Sequence, residues 1–194
     1  MKILSETEIS AWNNSNIFKV KQNVIQCICE ANANTIDEIK NLNPNLFNSF
    51  RFKNPKISKG ENYLNLPWVM ADYPAYFDAE NIFAYRMFYL WGTEINFFML
   101  LKGDFLKHYQ PTILSQIKNN IFENIFIYMG DDAWKHTIDE PYQPIKQIKI
   151  EQIIAQINSY GFLKLAVNYS PDQINNIENL GFEAWQLYYK LLSA

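Results

Sequence analysis

Six glycines in 194 residues leave little material for the loops that cradle phosphates, and nothing in the chain matches a P-loop or the dinucleotide-binding fingerprint. A Gly-x-Ser-x-Gly elbow is also missing. Two cysteines and two histidines are thin material for thiol or zinc chemistry. Cys27 and Cys29 stand two apart on a segment that reads as helix, so their side chains diverge and cannot bridge. A reduced, cytoplasmic setting is the simplest expectation. Basic charge is not in excess: the net charge is -3 and the isoelectric point about 5.4. The chain therefore lacks the electrostatic footprint for phosphate backbones or anionic lipid, and neither nucleic acid nor a membrane surface is an expected partner. Apolar runs are short, Phe97 to Leu101 being typical, against the roughly 20 residues that a membrane-crossing helix requires. The opening "MKILSETEISAWNNSN" breaks into charge within a few residues, unlike the apolar middle of a secretory signal.

What is present is a globular composition, 48% hydrophobic and 19% charged, enough to bury one core. The expected organisation is a single domain over 1–194, with a helical N-terminal layer at about 5–50 and a sheet-containing body at about 57–194. Ser5 with Glu8 has the spacing of a capping box. Val20, Val24, Ile25 and Ile28 recur at helical spacing. Thr35 with Glu38 then opens a further turn that buries Ile36, Ile39 and Leu42. Pro44, Pro55, Gly60, Pro67 and Pro74 punctuate the next stretch, which reads as ordered loop with one strand around Asn62 to Leu66.

Residues 81–103, "NIFAYRMFYLWGTEINFFMLLKG", are β-branched and aromatic on both sides of Gly92 and Thr93. This predicts a hairpin over about 82–102 with a two-residue turn. Pro111 suits the first turn of a helix facing inward with Ile113, Leu114, Ile117 and Ile121. "NIFIYMG" (124–130) reads as a strand covered on both faces, and "GDDAWKHTIDEPYQP" (130–144) as a polar loop. Ile153, Ile154 and Ile157 mark another helix, "FLKLAVNY" (162–169) another strand, and Ser170-Pro171 a helix start that Gly181 stops. Residues 182–192 are compatible with helix or strand, and their Glu, Ala, Gln, Leu and Lys favour helix. Hairpin strands grouped between helices predict an α+β fold, an antiparallel sheet with its central hairpin packed against N-terminal and C-terminal helices.

A two-residue turn places Arg86 opposite Met99, on the face of Ala84, Phe88, Leu90, Ile95, Phe97, Met99 and Leu101, as the one charge of the drier side. A buried guanidinium keeps its charge, and leaving it unpaired costs roughly 3–5 kcal/mol. It therefore needs a carboxylate such as Asp72, Asp78 or Glu80, a route to water at a sheet edge, or an anionic ligand in a pocket floored by the sheet. Arg86 and Asp72 are thus candidate ligand-binding residues. Tyr89 and Trp91 join them, because aromatics at these positions suit either the core or a binding groove. Asp131, Asp132 and His136, directly after a strand, are candidate metal ligands or acid–base groups, although their spacing matches no known motif.

No cofactor is implied. The expectation is a non-enzymatic binding or interaction protein of bacterial type, an adaptor, inhibitor or immunity partner, with a protein as its partner. The alternative is a small-molecule or anion-binding protein, or a metal-dependent hydrolase, with its pocket at Arg86/Asp72 or at Asp131/His136.

Overall fold

The computed structural model describes residues 3–43, 52, 54–120 and 122–193. Part of the expected helical layer, 44–50, and Ile121 lie outside them. The fold is α+β, and the described residues form five α-helices and one seven-stranded antiparallel sheet. Helices α1 (Glu6–Trp12) and α2 (Asn16–Leu42) lead into β1 (Lys56–Tyr63), β2 (Leu66–Phe77), β3 (Ile82–Leu90) and β4 (Glu94–Lys102). There follow α3 (Asp104–Asn119), β5 (Phe126–Tyr128), β6 (Tyr142–Pro144), α4 (Ile150–Tyr160), β7 (Phe162–Tyr169) and α5 (Ile177–Leu192). The strand order is β1-β2-β3-β4-β7-β5-β6.

Several elements follow their sequence signals. Ser5 and Glu8 form the capping box of α1, β3 and β4 form the hairpin, and residues 182–192 are helical. Others do not. Instead of loop, 56–77 contains two long strands joined at Leu64 and Asn65, both at positive φ, as a twisted two-residue hairpin turn demands. Pro67 and Pro74 do not prevent this. Pro67 lies near the start of β2, and Pro74 falls in the bulge where the register shifts between Asp72 and Ala75, a place where a missing ladder donor costs little. Thr35 is no helix start. α2 runs straight through it, and its hydroxyl donates to the Glu178 carbonyl of α5 at 3.2 Å, while Leu42 is exposed. α3 begins seven residues before Pro111, which sits on its exposed side. Gly181 lies inside α5 rather than after it. A Cβ there would stand 3.1 Å from Thr35 Oγ1 and 3.3 Å from the Phe97 ring, so glycine is what lets α5 seat on α2 and β4.

The hairpin turn sets the faces. Leu90 pairs with Glu94 across three residues, Trp91 to Thr93. Gly92 has φ +59° and Thr93 N donates to Leu90 O at 3.0 Å, which matches a type II turn. The one-residue difference from the expected turn moves every β4 side chain to the other face. Arg86 stands opposite Phe98, not Met99. One face, with Phe83, Tyr85, Met87, Tyr89, Ile95, Phe97, Met99 and Leu101, packs against apolar residues of α2, α3, α4 and α5. Tyr85 and Tyr188 hydroxyls stitch it to α5, donating to Gly181 O at 2.5 Å and Phe97 O at 2.7 Å. The other face, with Ala84, Phe88, Leu90, Phe98 and Leu100, packs against Ala133 and Ile138 of the β5–β6 connection.

Candidate functional site

Arg86 lies on that second face with a partner in the adjacent strand. Asp72 is directly opposite it in β2. Arg86 Nε donates to Oδ1 at 2.6 Å and Nη2 to Oδ2 at 2.8 Å, the forked geometry of a strong charge-assisted pair. Its third nitrogen, Nη1, donates to His136 Nε2 at 3.2 Å, and its guanidinium lies 5.3 Å from the centre of the Trp134 ring. Because arginine can only donate, Nε2 of His136 must accept, which puts the ring proton on Nδ1, a buried atom with no partner. Burial first, then the charges of Arg86 and Lys164, pull the His136 pKa down to about 3. The imidazole is neutral at physiological pH.

The connection expected to be a solvated acidic loop is strapped to the sheet. Its backbone is held by side chains beneath: Tyr63 accepts from His136 N at 3.0 Å, Asn96 donates to His136 O at 2.9 Å, and Glu94 accepts from Ile138 N at 3.3 Å. Lys164, 2% exposed in β7, donates to Ala133 O at 2.9 Å and to Lys135 O. Its ammonium sits 4.6 Å from the Phe98 ring centre and within 6.0 Å of those of Tyr128 and Tyr142. Burial, then the Arg86 charge, lowers its pKa to about 7. Asp131 and Asp132 stay exposed, and Asp132 Oδ1 accepts from Trp134 N at 2.8 Å. Asp131, Asp132 and His136 do not converge: among the described residues no group of three or more His, Cys, Asp or Glu side chains comes together to hold a metal ion.

Tyr89 and Trp91, grouped in the sequence with Arg86, lie elsewhere. Both line a half-open cavity of about 270 Å³ whose walls are mostly apolar. It opens between α2 and the hairpin end of the sheet, walled by Val24, Ile25 and Ile28, by Trp68 and Ile95, and by Pro171 and Ile174. The cavity lies where α2 leaves the core. From Ile28 onward its buried residues Ile28, Ala31, Thr35, Ile36 and Ile39 seat on the core. Before Ile28 the same stripe continues through Ile25, Val24, Val20 and Ile17 with its exposure rising, and Ile17 and Val20 are about half exposed.

Lys21 of α2 forms an ion pair with Glu61 of β1 at the cavity wall. The Tyr89 hydroxyl donates to Asn32 Oδ1 at 2.6 Å, and Asn32 Nδ2 is buried without a partner. Of the two cysteines, both free, Cys27 is exposed and Cys29 half-buried, where burial raises its pKa despite the opposing charge of Lys59.

The structure therefore splits the candidate residues into an ion-paired, strap-covered set around Arg86 and Asp72 and a cavity set around Tyr89 and Trp91. Sequence reasoning missed the α2 wall of the cavity. The available signal was the apolar stripe of Val20, Val24, Ile25 and Ile28. Comparison of the chain with protein-family models, with curated protein sequences and with solved structures returned no match.

Proposed function

We propose that this is a non-enzymatic binding protein whose recognition site is the cavity between α2 and the hairpin end of the sheet. One observation carries the reading: a half-open, mostly apolar space of about 270 Å³, walled by Tyr89, Trp91, Val24, Ile25 and Ile28. Leaving such surface open to water forgoes roughly 25 cal/mol for every Å² of apolar area, and concave apolar spaces with a few polar groups are where small ligands bind. Trp68 and Trp91 are both in the lining, so the experiment is a fluorescence titration with octanol, a neutral apolar probe. Saturable change that disappears in Val24→Phe, a substitution that narrows the space from its half-buried α2 wall, supports the reading. A response that is absent, or that survives the substitution, contradicts it.

A second reading, a protein partner of the adaptor, inhibitor or immunity kind, is favoured by the N-terminal helices. Ile3, Leu4, Ile9, Trp12, Ile17, Phe18 and Val20 are all exposed, Trp12 to 81%. A run of large apolar side chains on one arm is the usual mark of an interface. Sedimentation over a range of concentrations tests it. Association that vanishes in the Trp12→Ser/Phe18→Ser double variant supports an interface on the arm, and sedimentation that the double variant leaves unchanged removes that support.

A further inference from the structure

The cavity wall carries four charged side chains, Lys21, Lys59, Glu61 and Glu94, and three of them are occupied. Lys21 and Glu61 neutralise each other. Glu94 is turned to the other face of the sheet, where its carboxylate accepts from Asn96 Nδ2 at 2.5 Å and from Ile138 N. Lys59 is left. Among the described residues no carboxylate pairs with it, and it stands opposite Val69 of β2, a core residue of the face that α2 covers, which puts it on the α2 side of the exposed strand β1. The site thus combines apolar aromatic walls with one cation, Lys59, that no carboxylate of the described residues pairs with.

Size bounds the occupant. A dry cavity of about 150 Å³ accepts a benzene ring, so 270 Å³ has room for roughly ten or eleven non-hydrogen atoms on the same scale. A ligand of that size buries its apolar body between Ile25, Ile28, Tyr89 and Trp91 and leaves its polar end at the opening. A cationic end would meet Lys59 and be repelled, and a neutral end would gain nothing from it. An anionic end gains an ion pair.

Resting on the cavity reading above, we propose that the ligand is an amphiphilic monocarboxylate of roughly ten non-hydrogen atoms, a medium-chain or aryl-substituted acid, with its carboxylate at Lys59.

The test is one fluorescence titration run with three probes that share a tail: octanoate, octanol and octylammonium. It is repeated on the wild type, Lys59→Glu and Val24→Phe. Lys59 is exposed on an edge strand, so its replacement leaves the core untouched, and urea midpoints of all three proteins verify that they fold. The expected order of affinity in the wild type is octanoate, octanol, octylammonium, with octanoate about threefold tighter than octanol, in keeping with one solvent-exposed ion pair. Lys59→Glu should reverse the order, and Val24→Phe should weaken all three. Equal binding of the three probes in both wild type and Lys59→Glu, still lost in Val24→Phe, would overturn the carboxylate assignment while leaving the cavity as the site. Binding of no probe, or binding indifferent to Val24→Phe, would overturn the cavity and the assignment together.

Discussion

Removing either half of the Arg86–Asp72 pair should destabilise the fold by about 3 kcal/mol, and removing both should cost far less than twice that. The size follows from the setting. The two side chains are 11% and 12% exposed, so solvent does little to relieve a charge left alone. Deleting one member of a buried pair costs about 3–5 kcal/mol, and the residual exposure argues for the lower end. Arg86→Met leaves the Asp72 carboxylate buried without its cation, whereas Asp72→Asn leaves the guanidinium with one amide oxygen, His136 and Trp134 in place of a carboxylate. In the double variant neither charge remains, and the main loss is the donor to His136 Nε2, about 1 kcal/mol. With a urea slope of about 2 kcal/mol per molar, each single variant should unfold about 1.5 M earlier, and additivity would predict about 3 M for the double. The expected double shift is about 0.5 M, a coupling of more than 2 kcal/mol. Urea unfolding followed by tryptophan fluorescence reads all four proteins. Additive losses, with coupling under about 0.5 kcal/mol, would refute the claim that the pair answers to itself.

Other outcomes follow from neighbouring contacts. Stability should climb with pH in two windows, because the unfolded chain there holds a proton that the folded chain lacks. For His136 the window runs from about 3 up to its ordinary value of 6.5, and for Lys164 from about 7 up to 10.5, each at up to about 1.4 kcal/mol per pH unit. Urea midpoints across pH should flatten in the first window in His136→Phe and in the second in Lys164→Met. Gly181→Val should lower the urea midpoint by the equivalent of about 2–3 kcal/mol, since its Cβ alone would approach Thr35 and Phe97 to 3.1 and 3.3 Å, and an unchanged midpoint would mean that α5 can lift off the sheet freely. Arg86→Lys should cost about 1–2 kcal/mol in the same assay, because a point charge cannot reproduce the two parallel bonds to Asp72.

The hairpin at 82–102 was legible because its aromatic and β-branched residues leave few alternatives. Its faces were not, because Trp91 joined the turn and a single residue inverts a strand. β1 escaped notice for a different reason. As an exposed edge strand, "KISKGENY" has neither a dry face nor an apolar run, and lysines at an edge look like loop although they serve to keep it from pairing. Thr35 misled because the hydroxyl that resembles a cap is buried against α5, a contact that local spacing does not encode. The need of Arg86 for a carboxylate followed from charge alone, and Asp72 was among the residues named. The cavity itself could not be read this way, because it depends on how α2 seats against strands that local sequence patterns do not mark.

The most direct test of the central claim, that recognition occurs under α2 and not at Arg86, is an amide chemical-shift map of the protein titrated with octanoate. The account predicts saturable shifts at Val24 to Ile28, Lys59 to Glu61 and Tyr89 to Ile95, with residues 131–140 unmoved. Shifts concentrated instead at 131–140 and around Asp72 and Arg86 would contradict it, and would make the strap-covered arginine the binding site.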